Sequence, residues 1–344
     1  MKPQNLSYTA LIISLSFLWS CSPSGGGGAG GGVGAGGGTG GESSKPGAAI
    51  KMICNTEGSS KELRRFDFPT DELYVAVDLP QFTSGGLAKL NDKIWVTLND
   101  NRLLKLNSVT HAIEETVVLG SQMTRLLTYG DELIIMDMGI GSKDSERQRV
   151  IRYNTVTKTH SEVKLGSIIQ IYDQFRVIGD QLFVLSTNDF TLFNVDLKTN
   201  TAMELSLGEG GGYGYGNFVL QGDLAWVIDD YSNKMLKIDI KTMKLLSSQD
   251  LVAESYSSME IFGEKIFVEL LSSKKMGMIS TSAPTVVNKI DVGIKPDGLL
   301  QQGQRLFVLG GVDGFGQITE LDMVSGSIVQ KDNGFYVDHC VVDM

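Results

Sequence analysis

The chain has 344 residues, and its 40 acidic side chains outnumber the 30 basic ones, for a formal net charge of −10. Such an acidic balance repels phosphate backbones and disfavours nucleic acid as a partner. The length allows one large domain or two ordinary ones. Only three histidines and three cysteines occur, so few residues are available for thiol chemistry or for a histidine metal site.

The amino-terminal residues 1–20 have the organisation of an export signal. Lys2 supplies the positive end, and residues 11–19 form an apolar core that is too short to span a bilayer as a helix. The segment Leu18-Trp19-Ser20-Cys21 resembles the lipobox of bacterial lipoproteins. That resemblance implies removal of residues 1–20, acylation of Cys21 and an outer-membrane location. The alternative is an ordinary secretory signal followed by an incidental cysteine.

Residues 21–48 are predicted to be a lipidated cysteine followed by a glycine-rich tether. Residues 25–41 are almost entirely glycine and cannot build a core of their own. A flexible segment of this kind reaches about 25–30 Å, so the domain behind it can stand off the membrane and reorient. Three candidate strands follow, at Ala49–Cys54, Leu63–Phe68 and Leu73–Leu79.

A short unit then recurs roughly every 40–50 residues, which is a period typical of repeat folds. It consists of a turn pair, one further residue and an apolar strand, and its copies begin at Asn91, Gly130, Gly179, Gly222, Gly263 and Gly303. A second marker follows each copy: an apolar residue, Asn or Asp, two variable residues, then Thr or Ser. It begins at Leu106, Tyr153, Val195, Ile238 and Leu321, and it is degenerate around Ser280.

Both markers indicate hairpins, because Gly-Asp pairs and short Asn, Asp, Thr and Ser side chains favour tight turns. Two hairpins in each repeat give four antiparallel strands. The second strand is apolar almost throughout, as expected when both of its faces are covered. This pattern predicts an all-β fold, a single β-propeller over residues 49–344. The chain resembles the NHL/YVTN-type propellers, in which a turn like Pro296-Asp297-Gly298 is common.

The two ends of the domain are predicted to complete a seventh blade. Residues 334–343 read as one strand, and together with the three amino-terminal strands they make four. Seven four-stranded blades would then close the ring and remove its open edges. With Cys21 lipidated, Cys54 and Cys340 remain, and both fall in this blade. In an oxidising compartment we expect a disulfide between them, with two buried thiols as the alternative.

Irregular loops are predicted on one face of the ring. The hairpin between the second and third strands is lengthened in the second and sixth copies, and a Gly/Tyr segment at 208–217 joins the third and fourth blades. Such loops indicate a recognition surface, although tolerated insertions are an equally weighted alternative. The candidate binding residues are Lys143, Asp144, Arg147, Tyr213, Tyr215, Asp313 and Phe315.

The central channel is the second candidate site. The first strand of each blade points to it, and the candidate channel residues are Arg125, Asp173, Asn217, Asp297, Asp338 and His339. Carboxylates around one axis suit Ca²⁺, which takes six to eight oxygen ligands. Propeller lactonases and related hydrolases use such an axial metal. The alternative is a channel lined only by solvated polar groups.

We therefore expect a non-enzymatic, monomeric binding or scaffold lipoprotein of the bacterial envelope, facing the periplasm or the cell surface. It would recognise a protein or a glycan through the irregular loops, without nucleic acid and without a cofactor. The alternative function is a calcium-dependent hydrolase, such as a lactonase, acting at the channel.

Overall fold

The computed structural model describes residues 50–55, 61–68, 72–138, 149–165, 174–187, 189–208, 216–252, 256–271, 273–312, 315–333 and 339–342. These residues form 28 strands, which pair into four-stranded antiparallel sheets. The sheets are the seven blades of a β-propeller, as predicted. Within this part of the chain, no helix is long and apolar enough to cross a membrane.

Each blade is a meander of four strands, and we number blades 1 to 6 along the chain. Blade 1 contains β4 (Thr83–Leu90), β5 (Lys93–Leu98), β6 (Arg102–Asn107) and β7 (Ile113–Val118). Blade 2 contains β8 (Met123–Tyr129), β9 (Glu132–Asp137), β10 (Arg149–Asn154) and β11 (His160–Lys164). Blade 3 contains β12 (Gln174–Ile178), β13 (Gln181–Ser186), β14 (Thr191–Asp196) and β15 (Thr201–Ser206).

The remaining blades follow the same plan. Blade 4 contains β16 (Gly216–Gln221), β17 (Leu224–Asp229), β18 (Lys234–Asp239) and β19 (Lys244–Asp250). Blade 5 contains β20 (Tyr256–Phe262), β21 (Lys265–Leu270), β22 (Lys275–Ser280) and β23 (Ala283–Asp291). Blade 6 contains β24 (Lys295–Gln302), β25 (Arg305–Val312), β26 (Phe315–Asp322) and β27 (Ser327–Asn333). The closing blade orders β28 (His339–Val342), β1 (Ile50–Asn55), β2 (Glu62–Phe68) and β3 (Glu72–Asp78).

The first strands of the blades form the inner wall of the ring, because each one contacts the first strand of both neighbouring blades. The second strands are the most buried, and in β5, β9, β13 and β21 every residue after the first is buried. The fourth strands β7, β15 and β19 are mostly exposed. A separate apolar cluster lies in each of the seven interfaces between neighbouring blades.

The two sequence markers form the turns that they predict. At the first marker, Gly130, Gly179 and Gly222 adopt φ values of 55°, 56° and 57°, a region where glycine is favoured. At the second marker the Asn or Asp side chain caps its own turn. The Oδ1 atom of Asn107 accepts from the backbone N–H groups of Val109 and Thr110, both at 2.9 Å. Asn154, Asp196 and Asp239 make the same pair of bonds.

The closing blade joins the two ends of the domain, as expected. Strand β28 pairs with β1, with Cys340 directly opposite Cys54. The two sulfurs form a disulfide with an S–S distance of 2.03 Å. Both cysteines belong to the apolar cluster shared with blade 6. Residues 334–338, which were included in the predicted carboxy-terminal strand, lie outside the described residues.

Because the disulfide links residues 286 positions apart, its removal is expected to destabilise the domain strongly. In the chain-entropy model, Cys54→Ala with Cys340→Ala lowers the free energy of unfolding by about 5 kcal/mol, since a long loop is opened in the unfolded chain. Urea unfolding of both proteins under oxidising conditions measures this. A reduced wild-type sample should match the variant, and a loss below about 1 kcal/mol would contradict the expectation.

Candidate functional site

The two faces of the ring carry different connections. In an antiparallel meander, the hairpins between second and third strands lie at the same end as the connections between blades. We call this end the loop face. The hairpins between first and second strands and between third and fourth strands lie at the opposite end, which we call the turn face. Both lengthened hairpins and the Gly/Tyr segment therefore belong to the loop face.

Most of the predicted binding residues fall outside the part of the chain that the structure describes. These are Lys143, Asp144, Arg147, Tyr213, Tyr215 and Asp313. Phe315 is described as the first residue of β26, where it pairs with Val312 across the sixth-blade hairpin. Strands β25 and β26 each have eight residues, so the extra length in this hairpin extends its two strands.

The lengthened hairpin of blade 2 is held at both of its ends by one buried carboxylate. Asp137, at the end of β9, is fully buried and accepts hydrogen bonds from Ser121 Oγ at 3.1 Å and from Gln122 N at 2.8 Å. It also pairs with Arg149 Nε at 3.1 Å, at the start of β10. Arg149 in turn pairs with Glu162 at 2.9 Å. Asp137 and Arg149, which flank residues 139–148, are thus attached to the connection between blades 1 and 2.

In blade 6, close backbone packing defines the root of the longer hairpin. A Cβ atom added at Gly310 would stand 2.1 Å from the carbonyl oxygen of Lys295. Only glycine therefore allows β25 to approach β24 at this point. Glycine here serves the packing of the hairpin rather than an unusual φ angle.

A further polar anchor lies between blades 4 and 5. Asp230 accepts a hydrogen bond from Tyr256 N at 2.6 Å, and the Tyr256 hydroxyl donates to the Val252 carbonyl at 2.6 Å. Burial raises the pKa of the Asp230 carboxyl, and the neighbouring carboxylate of Asp229 raises it further. These bonds attach the start of β20 to the end of blade 4.

The channel candidates that the structure describes all lie on first strands, which is where the repeat alignment predicted them. Arg125 is on β8, Asn217 on β16, Asp297 on β24 and His339 on β28. Asn217 is buried, and its Oδ1 accepts from Phe218 N at 2.7 Å. The structure does not describe Asp173 or Asp338, nor the side chains of Asp297 and His339.

A buried ion pair at the inner wall was missed by the sequence analysis. Arg176 on β12 and Glu260 on β20 approach to 3.2 Å, although a whole blade separates their strands. Arg176 also donates to the carbonyls of Phe218 at 3.2 Å and Met259 at 2.8 Å. The guanidinium therefore joins the first strands of blades 3, 4 and 5. The one signal in the sequence is a charged residue within each of two apolar first strands.

Burial dominates the electrostatics of this pair. Desolvation raises the pKa of Glu260, and the nearby Arg176 offsets only part of that rise. Among the described residues, no group of three or more His, Cys, Asp or Glu side chains could hold a metal ion. The calcium-dependent alternative thus remains a prediction from the sequence.

Comparisons with known proteins support the fold and extend no further. No family model matches the chain, and no curated protein matches it. A Bacteroides uniformis protein, provisionally described as a 6-phosphogluconolactonase, superposes with a TM-score of 0.64 at 12% identity, covering 86% of this chain and 99% of that one. Virginiamycin B lyase from Staphylococcus aureus superposes with a TM-score of 0.58 at 14% identity, covering 74% of this chain and 87% of that one.

BamB from Moraxella catarrhalis gives a TM-score of 0.52 at 10% identity, covering 74% of this chain and 77% of that one. These proteins have different names and share the fold with this chain at very low identity. The chain is therefore a β-propeller protein, and its function must be argued from its own residues.

The Arg176–Glu260 pair gives a stability test of the inner wall. Arg176→Met is expected to lower the free energy of unfolding by about 3–5 kcal/mol, because it leaves a buried carboxylate without its cation. The Glu260 pKa would rise further in this variant. A raised folded-state pKa means that stability falls as the pH increases above the unfolded-state value. The loss should therefore be larger at pH 8 than at pH 5, by urea unfolding.

A charge-neutral partner variant separates the ion pair from simple packing. Arg176→Met combined with Glu260→Gln is expected to recover much of the lost stability and to lose the added pH dependence. If the single and double variants were equally unstable at every pH, the buried charge would not be the cause.

Proposed function

We propose that this protein is a membrane-tethered binding protein of the bacterial envelope that recognises a protein or a glycan through the loop face. The observation that carries the proposal is the anchoring of the lengthened hairpin of blade 2. Its root is fixed by Asp137, a fully buried carboxylate that bonds to the neighbouring connection and to Arg149. An insertion that is merely tolerated does not need such an anchor.

The placement of the other irregular segments supports the same face. The strand ends that flank the longer hairpin of blade 6, and those of β15 and β16 that flank the Gly/Tyr segment, lie at the same end of the ring. Segments that vary in length while their roots are rigid are a common design for recognition, because the scaffold positions them before the partner arrives. Ordering less chain on binding leaves more of the interaction energy for affinity.

The envelope location rests on the amino-terminal sequence. Leu18-Trp19-Ser20-Cys21 resembles a lipobox, and the glycine-rich residues behind it would separate the propeller from the bilayer. Acyl chains on Cys21 would hold the chain at the membrane, since each buried methylene contributes about 0.8 kcal/mol. The disulfide between Cys54 and Cys340 fits an oxidising compartment outside the cytoplasm.

The loop face is tested by crosslinking in intact cells. The first variant replaces residues 139–148 with a Gly/Ser linker and changes Tyr213, Tyr215 and Phe315 to alanine. The matched control changes three exposed turn-face valines, Val109, Val156 and Val324, to serine. We expect the loop variant to lose the crosslinked partner at least tenfold, an affinity difference of about 1.4 kcal/mol. The control should keep it, and equal capture by all three proteins would refute the proposal.

The anchor is tested separately with Cys21→Ser. This variant cannot be acylated at that position, so we expect it to leave the membrane fraction and appear in the soluble fraction after cell lysis. Ser22→Ala serves as the control, because it changes the adjacent side chain and keeps the thiol. Membrane association that is unchanged in Cys21→Ser would contradict the lipid anchor, while the loop-face experiment would still stand.

A further inference from the structure

Each repeat blade directs one side chain from the middle of its third strand towards the next blade. Its partner on the second strand is apolar and belongs to the apolar cluster of that interface. The residues at this position in blades 1 to 6 are Lys105, Arg152, Asn194, Lys237, Met278 and Glu320. Five of the six have long side chains. The exception is Asn194 in blade 3.

The long side chains fill the space between neighbouring blades. In blade 1 the ammonium of Lys105 lies 5.9 Å from the ring centre of Trp95, and Lys158 from blade 2 lies 5.8 Å from it. In blade 4 the ammonium of Lys237 lies 5.1 Å from the ring centre of Trp226. In these two interfaces, lysine ammonium groups thus lie over the face of the tryptophan ring.

Arg152 fills the same position in blade 2. It pairs with Glu132 at 2.6 Å and reaches across the interface to the Asn200 side chain, also at 2.6 Å. It donates as well to the carbonyl of Leu197, in the second-marker turn of blade 3. In blades 1, 2 and 4 the occupant of this interblade space is therefore a side chain with a cationic hydrogen-bond donor at its end, whereas blades 5 and 6 place Met278 and Glu320 there.

Between blades 3 and 4 the space is open. A groove of about 540 Å³ lies there on the turn face, within the size range of small-ligand sites. Its apolar lining comes from Ile178, Phe183, Met203 and Ile240. Two of these side chains are open to solvent, with Met203 52% and Ile178 38% exposed.

Asn194 is too short to fill this groove. Its Nδ2 lies 3.5 Å from the carbonyl oxygen of Ile240. Ile240 occupies the position in blade 4 that corresponds to Leu197 in blade 3. Asn194 is 5% exposed, lines the groove, and its Oδ1 has no hydrogen-bond partner. A buried acceptor without a donor is unfavourable, so a ligand in the groove that reached the Asn194 amide and donated to it would be stabilised.

The rim of the groove is acidic. Asp196 and Asp223 both line it, with Lys241 as the one cationic residue of the lining. Lys241 pairs with Asp223 at 2.6 Å, while Asp196 accepts from Gln181 and from its own turn. One carboxylate of the rim is therefore without a cationic partner within the lining, and the whole chain carries a charge of −10. This balance favours a positively charged ligand.

We propose that the groove between blades 3 and 4 binds an alkylammonium group, either a lysine side chain of a partner or a small primary amine. The hydrocarbon stem packs on Phe183, Met203 and Ile240. The ammonium donates to Asn194 Oδ1, and Asp196 adds electrostatic attraction. The ligand takes the place that the chain's own lysine or arginine fills in blades 1, 2 and 4. This site is on the turn face and is independent of the loop face.

The experiment uses the full chain with ¹³C-labelled methionine methyl groups and follows the Met203 signal, assigned with Met203→Leu. Butylammonium chloride is the first probe, with butanol as the neutral probe of similar shape and sodium chloride as the ionic-strength control. We expect a saturable shift of the Met203 signal with butylammonium at least about tenfold stronger than with butanol. No saturable shift, or equal shifts from the two probes, would overturn the proposal.

A blocked pentapeptide, Gly-Gly-Lys-Gly-Gly, distinguishes the two sources of the ammonium group. Tighter binding of the peptide than of butylammonium identifies a partner's lysine as the ligand. Weaker binding of the peptide identifies a small amine. Either result supports the shared chemistry.

The variant Asn194→Lys supplies the ligand from within the chain, as blades 1 and 4 do, and is expected to weaken butylammonium binding at least about tenfold. The matched control, Ser248→Lys, adds the same charge on exposed β19 and should bind like the wild type. Undiminished binding by Asn194→Lys would overturn the proposal. If that variant fails to fold, Asn194→Leu keeps the size of the side chain and removes the acceptor, and the same loss is expected.

Discussion

Closure of the ring is the constraint on which the rest of the structure depends. A blade buries its two faces only if a neighbour stands on each side, so six blades and two loose ends would expose two apolar surfaces. The chain solves this by sharing one blade between its two ends. Strand β28 pairs with β1, and the disulfide between Cys54 and Cys340 makes the junction covalent. The positions of all the interfaces between blades, and of the loops at their ends, depend on that closure.

Because each blade is covered on both sides, burial depends mainly on distance from the axis. The second strands lose contact with solvent, while the fourth strands keep it. Polar residues near the axis therefore need partners. Arg176 meets that need by bonding to two backbone carbonyls and to Glu260. The inner wall is thus held here by hydrogen bonds and charge in addition to apolar packing.

The sequence predicted the features that follow from turn chemistry or from counting, and it missed contacts between side chains of different blades or connections. The turn markers, the seven blades, the shared closing blade and the cysteine pair were all predicted, because each follows from local turn chemistry or from counting. The Arg176–Glu260 pair was not, since its partners are 84 residues apart and meet only across an intervening blade. The roles of Asp137 and Asn194 were missed for a related reason. Each role depends on how a side chain lies relative to a neighbouring connection or blade.

Departures from the repeat are the best guide to function in this fold. At the middle of the third strand, the blades fill the interblade space with different side chains, such as Lys105 in blade 1, Arg152 in blade 2 and Met278 in blade 5. Such residues differ in chemistry but fill the same space. Asn194 leaves that space open, and its buried Oδ1 lacks a donor among the described residues. The hairpin rooted at Asp137 departs in the opposite direction, by adding chain where other blades turn directly. Apolar packing between blades requires neither departure, so both are better explained by contact with a molecule outside the chain.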